Sequence, residues 1–320
     1  MWPEIGITVV YFLLAILFVY CVLLLILKLL FEPKIVMCNC KTRLENKIVL
    51  VTGGNSGIGF ETAKNLAQRG ARVIIADVTN AEKSVEEIIK FTGNGKVEYR
   101  YLNLANFKSV KTFAEDINKT IDNLDILVNN AGCLMDNKIT EDGINMIMQV
   151  NYLGPYLLTK LILAKLIQTQ SRIVNVSSGM YFCGELDLQD LAGLKQKNFF
   201  KSYNNSKLCT VLWTKALART LPTNVSVFCL HPGMVTTNIV GFMKGPIGEF
   251  IKKFSNVIVR NPYEGAQTSI HLCVAPDIEA LSGSYFSNCK VAVTTKIIND
   301  TNIDGLWSET GRFLNEKVNE

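Results

Sequence analysis

Tyr203 and Lys207 stand four residues apart in the run Tyr-Asn-Asn-Ser-Lys. That spacing sets a phenol and an ammonium on one face of a helix. A cation held nearby favours the phenolate, so the tyrosine can exchange a proton near neutral pH. Far upstream, Thr-Gly-Gly-Asn-Ser-Gly-Ile-Gly fills 52–59. A glycine-rich turn between a strand and a helix is what backbone needs to approach a pyrophosphate. Together the two runs point to hydride transfer to or from a nicotinamide.

These groups need a scaffold, and hydropathy supplies its outline. Lys47–Thr52, Arg72–Asp77, Val97–Asn103, Leu124–Val128, Arg172–Ser177 and Val225–His231 read as strands, with a short one near Ser284–Phe286. The continuous apolar runs among them suit strands buried on both faces. Helices are expected over 58–68, 80–91, 107–121, within 140–169, and over 203–220, 262–275 and 301–317. Strands alternating with helices predict an α/β fold, a Rossmann-type doubly wound parallel sheet with helices on both faces. Ligands of such sheets bind beyond the carboxyl ends of the strands, where all these motifs fall.

Gly53, Gly57 and Gly59 follow the first strand directly. The second glycine lets backbone near a phosphate, and the third lets helix pack on strand. With Asn55, Ser56 and Ile58 between them they form the expected phosphate cradle. Asp77 ends the second strand, 18 residues beyond Gly59. An acid there accepts ribose hydroxyls and repels a 2′-phosphate, and neither Val78 nor Thr79 is basic, so NAD is expected over NADP. Asn130, Ala131 and Gly132 follow the fourth strand, where small residues let the chain pass close to adenine and ribose. Ser177 and Ser178 both follow the fifth strand; strand alternation points them apart, and either is a candidate to hold the substrate oxygen.

The ordered set resembles the short-chain dehydrogenase/reductase superfamily over roughly 47–290. Thr52-Gly-x-x-x-Gly-x-Gly59, Asn129-Asn-Ala-Gly132, the Asn151 helix, Ile173-Val-Asn-Val-Ser-Ser178, Tyr203-x-x-x-Lys207 and His231-Pro-Gly233 occur in the family's order. Glu264-Gly-Ala-Gln-Thr-Ser269, Leu281-Ser-Gly283 and the N-terminal apolar run extend the likeness to membrane-bound retinol dehydrogenases. The resemblance implies Tyr203 as proton-transfer residue and Lys207 as its cationic neighbour and holder of the nicotinamide ribose. It implies Ser178 as the serine that orients substrate, and Asn151 as the holder of a relay water. It places Asn103 and Leu104 near adenine, and Pro232, Gly233, Val235 and Thr237 near the nicotinamide. Retinol dehydrogenases of this type commonly prefer NADP and carry a basic residue after the second strand, a pattern from which Asp77 departs. A homodimer, paired through helices next to those of Asn151 and Tyr203, is a further expectation from resemblance. His231, just before Pro-Gly, reads as packing rather than as a base.

Ile5–Leu27 is a run of 23 uncharged residues, and about 20 apolar residues span a bilayer as a helix. Lys28, Lys34, Lys41, Arg43 and Lys47 follow it, so the positive-inside rule puts the larger domain in the cytosol. The expected layout is an N-terminal transmembrane anchor over 1–31, a connector over 32–46 and one domain over 47–320, with the endoplasmic reticulum as the default membrane. Sequons at Asn175 and Asn204 fall within the expected active site, where glycans would obstruct it. The net charge of +5 is modest, with no basic aromatic patch for nucleic acid. Nine cysteines show no zinc spacing, so reduced thiols and no metal are expected. Tyr181, Phe182, Phe199 and Phe200, and an apolar stretch over 239–254, suit a lipophilic alcohol arriving from the bilayer. A hydroxysteroid dehydrogenase or general carbonyl reductase uses the same machinery, and a scaffold without turnover is the reading from another class.

Overall fold

The computed structural model describes residues 11, 18–20, 22, 35–135, 138–196, 198–235 and 260–319. Its centre is an eight-stranded sheet in the order β3-β2-β1-β4-β5-β6-β7-β8. The strands are β1 (Ile48–Thr52), β2 (Arg72–Asp77), β3 (Val97–Tyr101), β4 (Ile126–Asn129), β5 (Ser171–Val176), β6 (Val225–His231), β7 (Tyr285–Ser287) and β8 (Lys290–Val291). Every pairing is parallel except the last, between β7 and β8. The chain order reverses between β1 and β4, which lie side by side. That switch point is where a crevice opens in a doubly wound sheet.

The helices are α1 (Gly57–Gln68), α2 (Glu82–Thr92), α3 (Phe107–Thr120), α5 (Phe199–Thr220), α6 (Pro262–Val274) and α7 (Asp300–Asn319), with α4 assembled from three pieces. Those pieces are Met146–Met148, a π-helical turn over Gln149–Leu153, and Gly154–Leu166. Strand residues alternate between two cores, as the pleat requires. Leu50, Ile74, Leu127 and Ile173 face α3, α4, α5 and α7. Val49, Val51, Val73, Val128 and Val174 face α1 and α6.

The expected strands and helices are present, with shifted ends. The largest shift is in α5, which begins four residues ahead of Tyr203 because Asn198 caps it through the Phe200 amide. The strand β8 follows the turn at Asn288 and Cys289 and is too short for a periodic signal.

Among the described residues no helix is long and apolar enough to cross a membrane. The run Ile5–Leu27 lies almost wholly outside them, as do Thr237 and the apolar stretch over 239–254. The chain's own α7 lies across α4 and α5. The Tyr152 hydroxyl bonds Thr310 at 2.6 Å, the rings of Tyr156 and Trp307 sit 5.7 Å apart, and Arg219 pairs with Asp300 and Asp304.

Candidate active site

The glycine turn is held in a shape only glycine allows. Gly53 and Gly57 have φ of 65° and 60°, a region that disfavours any Cβ. A Cβ on Gly59 would stand 2.1 Å from the Gly53 carbonyl oxygen and 2.4 Å from Asn130 Nδ2. The turn is tied to the end of β4 by polar bonds. Asn130 Nδ2 donates to the carbonyls of Thr52 (2.9 Å) and Gly53 (3.0 Å), while the Thr52 hydroxyl accepts the amides of Asn130 and Ala131. Asn130 thus shapes the turn through its side chain, whereas Ser56, exposed at the start of α1, makes no side-chain cap bond. Such a cradle of bare backbone at a helix N-terminus fits a dinucleotide pyrophosphate.

At the tip of β2, the Asp77 carboxylate accepts the amides of Asn55 (3.2 Å) and Thr79 (3.0 Å). Its negative charge is fixed beside the glycine turn. Asn55 in turn accepts the Ser84 hydroxyl through its side-chain oxygen. Asn103 uses its side-chain oxygen on the Ala105 amide. Leu104 is buried in the core, and its carbonyl crowds Gly154, whose Cβ would meet it at 2.6 Å. Leu104 can therefore offer a ligand only backbone.

The proton-transfer candidates converge at the carboxyl ends of β4 and β5. The Ser178 hydroxyl lies near enough to the Tyr203 phenol to favour its ionised form. The two adjacent serines have different surroundings. Ser177 is buried and donates to the Lys207 carbonyl at 2.9 Å, tying β5 to α5. Ser178 faces the phenol instead. Lys207 is buried, its Nζ donating to the Val176 carbonyl at 3.0 Å and lying 5.7 Å from the Tyr203 ring centroid.

Asn151 sits in the π-helical turn, a local widening that often marks functional sites. Its amide exchanges bonds with the Cys133 backbone, accepting at 2.7 Å and donating at 3.0 Å, and it also donates to Ser206. Gly132 borders both groups: a Cβ there would lie 3.4 Å from Asn151 Oδ1 and 3.4 Å from Lys207 Nζ.

Burial sets the electrostatics. It pulls Lys207 down to about 8, toward the neutral amine. It also pushes the Tyr203 phenol up, with the nearby Ser178 hydroxyl opposing the rise. The lowering of the tyrosine expected from the sequence thus gives way to a rise. The physical reason is that both groups are desolvated, and the lysine's donor is turned to a carbonyl rather than to the phenol.

His231 has a positioning task rather than a chemical one. Burial, then Arg260, pulls its imidazole down to about 4, so Nδ1 stays an acceptor and takes the Gly179 amide at 2.9 Å, next to Ser178. Arg260 is a residue that no motif reveals. Its guanidinium donates to the Pro232 carbonyl and Asn288, and lies where a Cβ on Gly233 would be, 2.5 Å away. Val235 bridges to Arg260 as a two-residue parallel pair. Of the four aromatics expected to line a substrate cleft, Tyr181 is core, its ring 5.0 Å from that of Tyr285, while Phe182 and Phe200 are exposed.

Comparison with known proteins gives a concordant picture. A short chain dehydrogenase family profile matches residues 47–244. The chain is 41% identical to retinol dehydrogenase 11 of Mus musculus, covering 80% of this chain and 82% of that protein. It is 39% identical to retinol dehydrogenase 12 of Homo sapiens, over 87% of this chain and 89% of the relative. An uncharacterized protein of Mycobacterium Paratuberculosis superposes with a TM-score of 0.68 at 25% identity, covering 87% of this chain and 96% of that one. A short chain dehydrogenase of Shigella flexneri solved with NADP superposes with a TM-score of 0.61 at 22% identity, over 78% of this chain and all of the other.

Proposed function

Because the chain belongs to the short-chain dehydrogenase family, it is an NAD(P)-dependent oxidoreductase, and we propose that it oxidises a retinol-class lipophilic alcohol with NAD. The observation that carries this reading is the convergence of Ser178, Tyr203 and the buried Lys207 at the mouth of the sheet, beside a glycine cradle that fits a dinucleotide. The retinoid class rests on the similarity to retinol dehydrogenases 11 and 12.

The bound nicotinamide supplies the two-electron acceptor. Gly53, Asn55, Ser56, Gly57, Ile58 and Gly59 would hold the pyrophosphate, with Asp77 on the adenosine ribose. Asn130, Ala131, Gly132, Asn103 and the backbone of Leu104 would border the adenosine half, and Pro232, Gly233, Val235 and Thr237 the nicotinamide. Ser178 donates to the substrate oxygen and fixes its direction. Tyr203, as phenolate, takes the alcohol proton. With the cofactor bound, Lys207 would hold the nicotinamide ribose and its charge would steady the phenolate, and Asn151 would hold a water on the path by which the proton leaves. Asp77 supports NAD over the NADP common among relatives of this type, because a fixed carboxylate repels a 2′-phosphate.

The layout we propose is an anchor over 1–31, a connector over 32–46 and the catalytic domain over 47–320, facing the cytosol of the endoplasmic reticulum. Both sequon asparagines, Asn175 and Asn204, are buried in the folded domain, which favours a compartment without N-glycosylation. The test is turnover by the full chain in detergent or vesicles, with NAD or NADP against retinol, hydroxysteroids and long-chain alcohols. Retinol with NAD is expected to give the highest kcat/KM. Tyr203→Phe should abolish turnover while leaving NAD binding intact. Steroid turnover without retinol turnover would sink the substrate assignment, and an active Tyr203→Phe variant would sink the mechanism.

A further inference from the structure

The connector and the far side of the sheet bring together sulfur and imidazole donors that lie far apart in sequence. Cys38, Cys40 and His271 place one donor atom each within 4.8 Å of the others, and Cys40 Sγ stands 3.8 Å from His271 Nδ1. Zinc–sulfur bonds of about 2.3 Å and zinc–nitrogen bonds of about 2.0–2.1 Å put a tetrahedral S···N pair about 3.5 Å apart. The observed spacing is close to what one ion would draw together.

A fourth sulfur borders this group. Cys289 stands outside the 4.8 Å group but on the same ground: its Sγ lies 3.6 Å from the carbonyls of Val36, two residues before Cys38, and of Gln267, whose side chain accepts the Cys38 amide. Its backbone gives an independent reason to notice it. Asn288 and Cys289, the two residues joining β7 to β8, have φ of 50° and 58°. A two-residue hairpin turn with both φ positive favours glycine at its second position. A cysteine there is conformationally disfavoured, so its thiol is the feature that distinguishes this turn.

We propose that Cys38, Cys40, His271 and Cys289 form a structural zinc site that clamps the 35–46 connector onto α6 and the β7–β8 turn. Binding releases the three thiol protons to solvent, and four protein ligands leave no open position, so the ion is structural rather than catalytic. The clamp would set the bearing of the dehydrogenase domain on the apolar N-terminal segment that precedes Cys38. The Cys38 amide already donates to the Gln267 side chain at 3.1 Å, and the Leu44 amide to the Arg69 carbonyl, so the connector has a docked path without the ion.

The experiment uses the full chain, purified reduced and without chelator. Elemental analysis is expected to give one zinc per chain. Exchange with cobalt(II) alone should produce thiolate charge-transfer absorption and the intense visible bands of a tetrahedral centre. Cys38→Ser, Cys40→Ser, Cys289→Ser and His271→Ala should each weaken cobalt binding by on the order of 100-fold or more, since losing even an outer partner of a ligand costs 10–100-fold. Cys183→Ser, at an exposed cysteine, should bind as the parent does. Chelation should expose 35–46 to protease and lower the melting temperature. Variant folding is checked by melting curves, and the parent's metal content and cobalt spectrum stand as a test even if every variant unfolds. Substoichiometric zinc with a cobalt spectrum shared by Cys38→Ser/Cys40→Ser, or a disulfide among these cysteines, would overturn the proposal.

Discussion

Replacing Gly59 with alanine tests the dinucleotide cradle more sharply than changing any charged residue. The new Cβ would sit 2.1 Å from the Gly53 carbonyl oxygen and 2.4 Å from Asn130 Nδ2, where ordinary contact begins at 3.4 Å. Neither neighbour is a flexible side-chain end. The first is backbone, and the second is held by two carbonyls at 2.9 and 3.0 Å. The turn must open by about 1 Å, and overpacking of this kind costs about 1–3 kcal/mol or more. For domains of 150–250 residues each kcal/mol lowers the melting temperature by about 2–4 °C. A displacement of that size also moves the backbone amides off the pyrophosphate, so the NAD Kd should rise by at least about tenfold, each tenfold being about 1.4 kcal/mol. Gly95→Ala is the matched control. Its Cβ would meet nothing within 4 Å, and a compatible Gly→Ala change stabilises by about 0.4–1 kcal/mol through the unfolded chain. Melting curves and NADH fluorescence titrations on both variants provide the measurement. Parent-like NAD affinity in Gly59→Ala would refute the claim that this turn carries the phosphates.

Three further outcomes follow from the same geometry. Ser178→Ala should lose about 10²–10³ in kcat, the loss typical of one oriented donor, whereas Ser177→Ala should keep kcat and lose about 1 kcal/mol of stability with its bond to the Lys207 carbonyl; equal kinetic losses would contradict the division of labour. Asp77→Ser combined with Val78→Arg should shift the NADP-to-NAD ratio of kcat/KM by at least about tenfold toward NADP, because it removes the repelling carboxylate and adds a phosphate partner; an unmoved ratio counts against Asp77 as the selector. Burial lowers Lys207 from 10.5 to about 8, so between those values the unfolded chain binds the extra proton and the native state gains stability as pH rises. The melting deficit of the cofactor-free parent relative to Lys207→Met, on the order of 3 kcal/mol at 1.36 kcal/mol per pKa unit, should be complete below pH 8 and close by pH 10.5, and a pH-independent difference would show that the lysine is not buried as an ammonium.

Much of the architecture was legible in the chain because it is written in local patterns. Runs such as Arg-Val-Ile-Ile-Ala-Asp over 72–77 are apolar at every inner position, and β2 has those bounds. Glycines mark where the chain turns toward ligand, since positive φ at Gly53 and Gly57 excludes other residues. The four-residue step from Tyr203 to Lys207 puts both on one helix face, which is a property of helices and needs no tertiary information. Sequence order alone therefore placed the candidate groups at the strand ends.

Other features depend on which distant groups share a small volume. Two neighbouring serines look alike in sequence, yet packing of α5 against β5 turns Ser177 to a carbonyl and leaves Ser178 for the phenol. The sign of the tyrosine's pKa shift depends on how much water reaches it, and spacing carries no information on solvent. Arg260 carries no motif, and its place behind Gly233 exists only because α6 brings it back to β6. The cysteines at 38, 40 and 289 and the histidine at 271 have no metal-binding rhythm along the chain. The fold alone brings the donor atoms of Cys38, Cys40 and His271 within 4.8 Å of one another, with Cys289 on the neighbouring β7–β8 turn.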